Sequence, residues 1–166
     1  MKQVTWDELF MSMVFLVSMK SKDPSTHIGA VIVGPDNEVR SIGYNGLPRN
    51  VNDYIDRLMP QEKYYWFEHA ERNAIYNATL MGVSLKNSKM YTNGVPCADC
   101  ARAVIQSGIK EVIVHNEWNN NNDPKWNESC NIGKEMLLES GVNIRYYDKP
   151  ILEITGWRKG KELKYI

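Results

Sequence analysis

The segments HAERNAI (69–75) and VPCADC (95–100) set the hardest condition that any fold of this chain must meet. Together they hold one of its three histidines, two of its three cysteines, and an acid, Glu71, two residues beyond the histidine. Brought to one point, His69, Cys97 and Cys100 are a donor set for zinc, which takes imidazole nitrogen and thiolate sulfur in a tetrahedron. Three protein donors leave a fourth position for water, which is the arrangement of a catalytic site. A carboxylate two residues from a ligand is poorly placed to share the ion but well placed to exchange a proton with that water. Cys97 and Cys100 also fall in the first turn of an expected helix. Free N–H groups and the helix dipole favour thiolate there, and Pro96 suits the turn into it.

Two plainer readings of the cysteines exist. A C-x-x-C pair can be a redox couple or half of a structural zinc site. The redox reading lacks an aromatic residue ahead of the pair. The structural reading needs a fourth protein ligand, for which only Cys130, His27 and His115 remain. Neither reading has a use for Glu71.

The 166 residues are read as one domain, 1–166, with 150–166 as a possible C-terminal extension. Twenty basic and twenty acidic side chains give zero formal charge, with no basic stripe. That balance argues against a nucleic-acid polymer as partner and for a small molecule. The apolar run near the start is interrupted by Asp7 and Glu8, and nothing approaches the roughly 18–20 apolar residues of a membrane span. A cytoplasmic protein with reduced thiols is the expectation.

TWDE (5–8) forms a capping box, and Trp6, Leu9, Phe10, Met13, Leu16 and Val17 recur at helical spacing, with Pro24 as the stop. Residues 28–44 read as a hairpin around GPDN, and 61–82 as one helix. KMYT, EVIVH and VNIRYY read as strands separated by helices over ADCARAVIQS and NIGKEMLLES. NEWNNNNDPKW reads as a polar loop, and the last 16 residues as an edge strand or a contact with a neighbouring subunit. The order α-β-β-α-β-α-β-α-β predicts an α/β fold, a mixed sheet with helices on both faces.

H-x-E followed by P-C-x-x-C is the signature of zinc nucleobase deaminases. SKDPSTHIGAVIV, SIGYNGLPRNVND, HAERNAI and PCADCARAVIQSGIKEVIV, in that order over about 20–115, resemble the deoxycytidylate (dCMP) deaminases. The resemblance implies a three-layer α/β/α sandwich around a five-stranded mixed sheet. It implies Zn2+ on His69, Cys97 and Cys100, proton transfer by Glu71, and conversion of dCMP to dUMP for thymidylate synthesis. It places Asn45 near the substrate sugar, and Lys22, ahead of Arg49, near the phosphate. It further implies a homohexamer activated by dCTP and inhibited by dTTP, with Mg2+ accompanying a triphosphate effector. Gly43, Tyr44, Asn45 and Gly46 would then contribute to the effector site. Rival readings are a tRNA adenosine deaminase, a deaminase of free cytidine or guanine, and a non-catalytic zinc module. Two departures stand out: NGVPC lacks the aromatic residue many relatives carry before Pro-Cys, and the tail has no family counterpart.

Overall fold

A computed structural model describes residues 3–158 and 161–164. Its sheet runs β2-β1-β3-β4-β5, with β1 (Gly29–Val33), β2 (Val39–Tyr44), β3 (Lys89–Thr92), β4 (Glu111–His115) and β5 (Asn143–Tyr147). β1 pairs antiparallel with β2 and β3, whereas β3–β4 and β4–β5 are parallel. The parallel pairs need crossovers, supplied by α4 (Ala98–Gln106) and α6 (Asn127–Glu139). The sheet is therefore mixed, as the element order predicts.

Alternation along the central strands assigns the layers. Ala30, Ile32, Met90, Val112 and Val114 pack with Ala70, Ala74, Ala78, Val104 and Leu137 from α3 (Ala70–Leu80), α4 and α6. Val31, Val33, Tyr91 and Ile113 point the other way, onto Phe10, Met11 and Val14 of α1 (Trp6–Ser18). Both faces are covered, so these strands read as unbroken apolar runs.

Two glycines let helices of opposite layers approach the sheet. A Cβ at Gly29 would lie 2.1 Å from the Val14 carbonyl oxygen, and one at Gly43 would lie 2.3 Å from Ala74 N and 2.4 Å from Ala70 O. These neighbours are helix backbone and cannot rotate away. Gly43→Ala is expected to destabilise the fold by about 1–3 kcal/mol through overpacking. Thermal unfolding would show a lowered midpoint, and an unchanged midpoint would mean that α3 is not seated as described.

Several expectations need correction. The capping box holds, with Glu8 N donating to Thr5 Oγ1 at 3.3 Å and Thr5 N to Glu8 Oε2 at 2.7 Å. The helix stops at Ser18, however, well before Pro24. Its buried stripe is Phe10, Met11 and Val14, while Trp6, Leu9 and Leu16 face outward. Asp7 sets that phase: it accepts from Tyr91 Oη at 2.7 Å and from Arg145 Nη1 at 2.6 Å, which turns its side of the helix to the sheet. Helix 61–82 is broken. After a 3-10 turn at Ile55–Leu58, α2 covers only Lys63–Trp66, and the chain is extended at Phe67 and His69 before α3. Glu68 pairs its backbone with Gly46 there, at 3.0 and 2.8 Å, which removes it from the helical ladder.

The Asn-rich stretch is not a loop throughout. It holds α5 (Asn116–Asn120) and a 3-10 turn at Pro124–Trp126, and α6 starts at Asn127, earlier than NIGKEMLLES implies. The tail adds no edge strand to the sheet. β6 (Thr155–Arg158) and β7 (Lys161–Lys164) pair with each other as a separate hairpin, and 159–160 and 165–166 lie outside the described residues. No helix among the described residues is long and apolar enough to cross a membrane.

Candidate metal and catalytic site

His69 and Cys97 are both N-cap residues, of α3 and α4, with extended backbone at φ −76°, ψ 152° and φ −64°, ψ 170°. The two helices aim their N-termini at one point. Glu71 stands in the first turn of α3 and Cys100 in the first turn of α4. The donor atoms of His69, Cys97 and Cys100 lie within 4.8 Å of one another. His69 Nδ1 faces Cys97 Sγ at 3.4 Å and Cys100 Sγ at 3.5 Å.

Zinc bonds of about 2.3 Å to sulfur and about 2.0–2.1 Å to nitrogen in a tetrahedron put sulfur and nitrogen about 3.6 Å apart. The donor set and its spacing therefore fit zinc. The electrostatics agree. Cys97 is drawn down to about 4 by the Cys100 thiol, against burial, with help from His69. Cys100 is pushed up as the donor to Cys97 and by its own burial. Burial opposes charge on His69, yet the Cys97 and Glu71 charges raise its pKa. One thiolate, with a second thiol and an imidazole nitrogen in reach, is a donor set suited to a divalent cation. Glu71 is buried, and burial pushes its carboxyl up.

The cluster opens into a cavity of about 370 Å³, a volume within the range of small-molecule sites. His69, Glu71, Cys97 and Asn45 line it, but Lys22 and Arg49 do not. Lys22 is exposed and paired with Asp53, and Arg49 reaches Asn77. Asn45 is already well bonded. Its Oδ1 accepts from Ile28 N at 2.8 Å, and its Nδ2 donates to Thr26 O at 2.9 Å and Asp23 Oδ2 at 3.3 Å. One lone pair of Oδ1 remains for a substrate hydroxyl. Gly43 lies under α3, Tyr44 is exposed, and Gly46 bridges to Glu68.

His27 and His115 also stay outside the cavity lining. His27 Nε2 lies 3.0 Å from Asp23 O, and His115 caps α5 by accepting from Trp118 N at 3.3 Å. Cys130 lines the cavity. So does Tyr64, together with Trp118 and Trp126, whose ring meets His69 edge-on at 5.4 Å.

Sequence reasoning missed the cavity's lysines. Lys63 Nζ donates to Asp23 Oδ1 at 2.7 Å, Asp23 Oδ2 at 2.8 Å and Ser25 Oγ. Both members of the pair are buried. Lys125, with an exposed side chain, donates to Tyr64 Oη at 2.6 Å and pairs with Asp123 at 3.0 Å. Nothing in the local pattern marks Lys63. The only signal was a lysine just ahead of the aromatic run that leads to His69.

Mouse deoxycytidylate deaminase is 43% identical over 117 residues, covering 65% of this chain and 63% of the mouse protein. The chain thus matches less than two thirds of that relative's length. ComE operon protein 2 of Bacillus subtilis is 30% identical over 163 residues, covering 96% of this chain and 81% of that protein. The fold is shared with dCMP deaminase from the cyanophage S-TIM5, solved in complex with dCMP and dUMP. Its TM-score is 0.70 at 22% identity, over 89% of this chain and 100% of that one. Residues 4–116 match the cytidine and deoxycytidylate deaminase zinc-binding region. That span holds the whole His69, Cys97 and Cys100 cluster and Glu71, and on it the chain belongs to the cytidine and deoxycytidylate deaminase family.

Proposed function

We propose that this protein is a zinc-dependent dCMP deaminase that converts dCMP and water to dUMP and ammonia. The observation that carries the reading is a buried carboxylate, Glu71, lining the same cavity as His69 and Cys97, which with Cys100 behind them form a three-donor cluster. A zinc ion held by those donors supplies an electrophile and an activated water. The remaining steps belong to the chain. Glu71 takes a proton from the attacking water and delivers it to the ring nitrogen next to the reacting carbon. It then takes the remaining proton from the hydroxyl formed on the reacting carbon and hands it to the departing amino group, so that the carbonyl forms and ammonia leaves. A carboxyl whose pKa is raised by burial is suited to holding a proton between those two atoms.

Asn45 orients the sugar hydroxyl through its free lone pair. Among the described residues, the cations lining the cavity are Lys63 and Lys125. Lys63 is buried against Asp23, whereas Lys125 and its partner Asp123 are exposed, so Lys125 is the better placed to meet a 5′-phosphate at the mouth, and Lys22 gives way to it. Resemblance through GYNG, whose Tyr44 is exposed, supports activation by dCTP and inhibition by dTTP, with Mg2+ on the triphosphate. It likewise supports a homohexamer. On this reading residues 1–166 form one cytoplasmic deaminase domain whose 150–166 segment is an extension, acting on a free nucleotide and not on a polymer.

The test is ammonia release from dCMP, deoxycytidine, CMP and a tRNA substrate by zinc-loaded protein, with and without dCTP. Selective turnover of dCMP is expected. If dCMP stays intact in every arm, the substrate assignment is wrong.

A further inference from the structure

Helix α4 begins without a cap of its own. A helix start leaves up to four N–H groups without partners, and Ser, Thr, Asp or Asn normally supplies an oxygen to one of them. At this helix the N-cap is Cys97, whose sulfur makes no capping hydrogen bond and lies beside His69 Nδ1.

The missing oxygen comes from another helix. Ser129, in the first turn of α6, accepts from Ala98 N at 3.1 Å. One turn further along, Gly133 rests against the same corner. A Cβ there would fall 2.3 Å from Pro96 O and 3.0 Å from the Cys97 carbonyl carbon. From the opposite side, Asn119 of α5 accepts from Val95 N at 3.0 Å through Oδ1. The backbone from 95 to 98 is therefore held at each residue by the segment that follows β4.

We propose that Ser129 is a positioning residue for Cys97, a cap lent by α6 that fixes the ligand's backbone while its thiolate stays on the cation. The proposal rests on the zinc reading above. Without the hydroxyl, Ala98 N loses its partner and the backbone that carries Cys97 loses one of its anchors, so the sulfur is held less firmly against His69 and Cys100. Residues that orient metal ligands typically cost 10–100-fold in metal affinity when changed.

The experiment measures zinc affinity by competition with a chromophoric chelator at pH 7, and the thiolate-to-cobalt charge-transfer absorption of the Co(II)-substituted protein. Wild type, Ser129→Ala, Ser129→Thr and a Cys97→Ser control are compared, with melting of each metal-free protein alongside. Ser129→Ala is expected to bind zinc roughly 10-fold more weakly, with a weaker or shifted cobalt band, and Ser129→Thr to restore both. A Ser129→Ala protein with wild-type affinity and spectrum overturns the proposal. So does one whose melting falls while its cobalt band stays unchanged, since that describes a structural cap only. If Ser129→Ala does not fold, Ser129→Val against Ser129→Thr isolates the hydroxyl with matched shape, and equal affinities overturn the proposal. A wild-type protein with no thiolate band, or a band untouched in Cys97→Ser, refutes the zinc reading and the cap together.

Discussion

Replacing Glu71 with Gln is expected to slow dCMP turnover by roughly 10²–10⁴-fold, the range general acid–base groups supply. Zinc content and fold should stay intact. The substitution is close to isosteric, and Glu71 sits in a buried environment that pushes its carboxyl toward the neutral form, so a neutral amide costs little stability. His69, Cys97 and Cys100 keep their mutual distances, because the contacts from His69 Nδ1 to the two sulfurs are direct and the Gln side-chain oxygen can keep the hydrogen bond that Glu71 makes with Cys100. What is lost is a group that can both accept and return a proton at the cavity wall. The fall should therefore appear in kcat, with KM changed much less, because the proton moves only as the reaction proceeds. Zinc-loaded Glu71→Gln protein that keeps more than a tenth of wild-type turnover would remove Glu71 from the mechanism.

The parts of this site that sequence reveals are those fixed by short spacing. Cys97 and Cys100 are one helical turn apart, and Glu71 is two residues from His69, so each pair is local wherever the chain goes. That His69 meets the cysteines follows from α3 and α4 both starting at the same end of the sheet, which the alternating element order implies. The rest depends on contacts made across long separations. Lys22 stands among polar neighbours and Lys63 between polar and aromatic ones, and neither setting says which is buried. Folded, the Lys22 side chain is 68% exposed and that of Lys63 is 5% exposed, because only Lys63 finds Asp23, forty residues away. The phase of α1 was hidden for a similar reason. Its apolar residues run nearly all the way round, and the deciding contacts are polar, from Asp7 to Tyr91 and Arg145. The break before α3 was masked by apolar residues continuing through a segment that Gly46 pulls into backbone pairing.

Lys63→Met is the substitution expected to cost the fold most, about 3–5 kcal/mol, because it leaves a buried carboxylate without its counter-ion. Methionine keeps the length of the aliphatic stem, so the loss is chiefly electrostatic. Asp23 also accepts from Ser25 N at 2.8 Å and Thr26 N at 3.1 Å and contacts Asn45, so its displacement should loosen the cavity wall and raise KM as well. The pH dependence separates this account from a simple packing loss. In the wild-type protein burial opposes charge on Asp23, but Lys63 and Ser25 hold its carboxyl below the usual carboxylate range. A depressed folded-state pKa contributes stability that is fully present above the unfolded value, about 4, and is lost as pH falls through the lower folded value. In Lys63→Met only the burial and the local hydrogen bonds remain, the pKa rises, and the cost of the orphaned charge shrinks as acid neutralises it. Urea unfolding of the two proteins should therefore differ most near neutral pH and converge as the pH approaches 4. Adding Asp23→Asn to Lys63→Met should recover part of the loss at pH 7 and remove most of the pH dependence. A gap that is the same at pH 7 and pH 4.5 would mean that the pair contributes through shape alone.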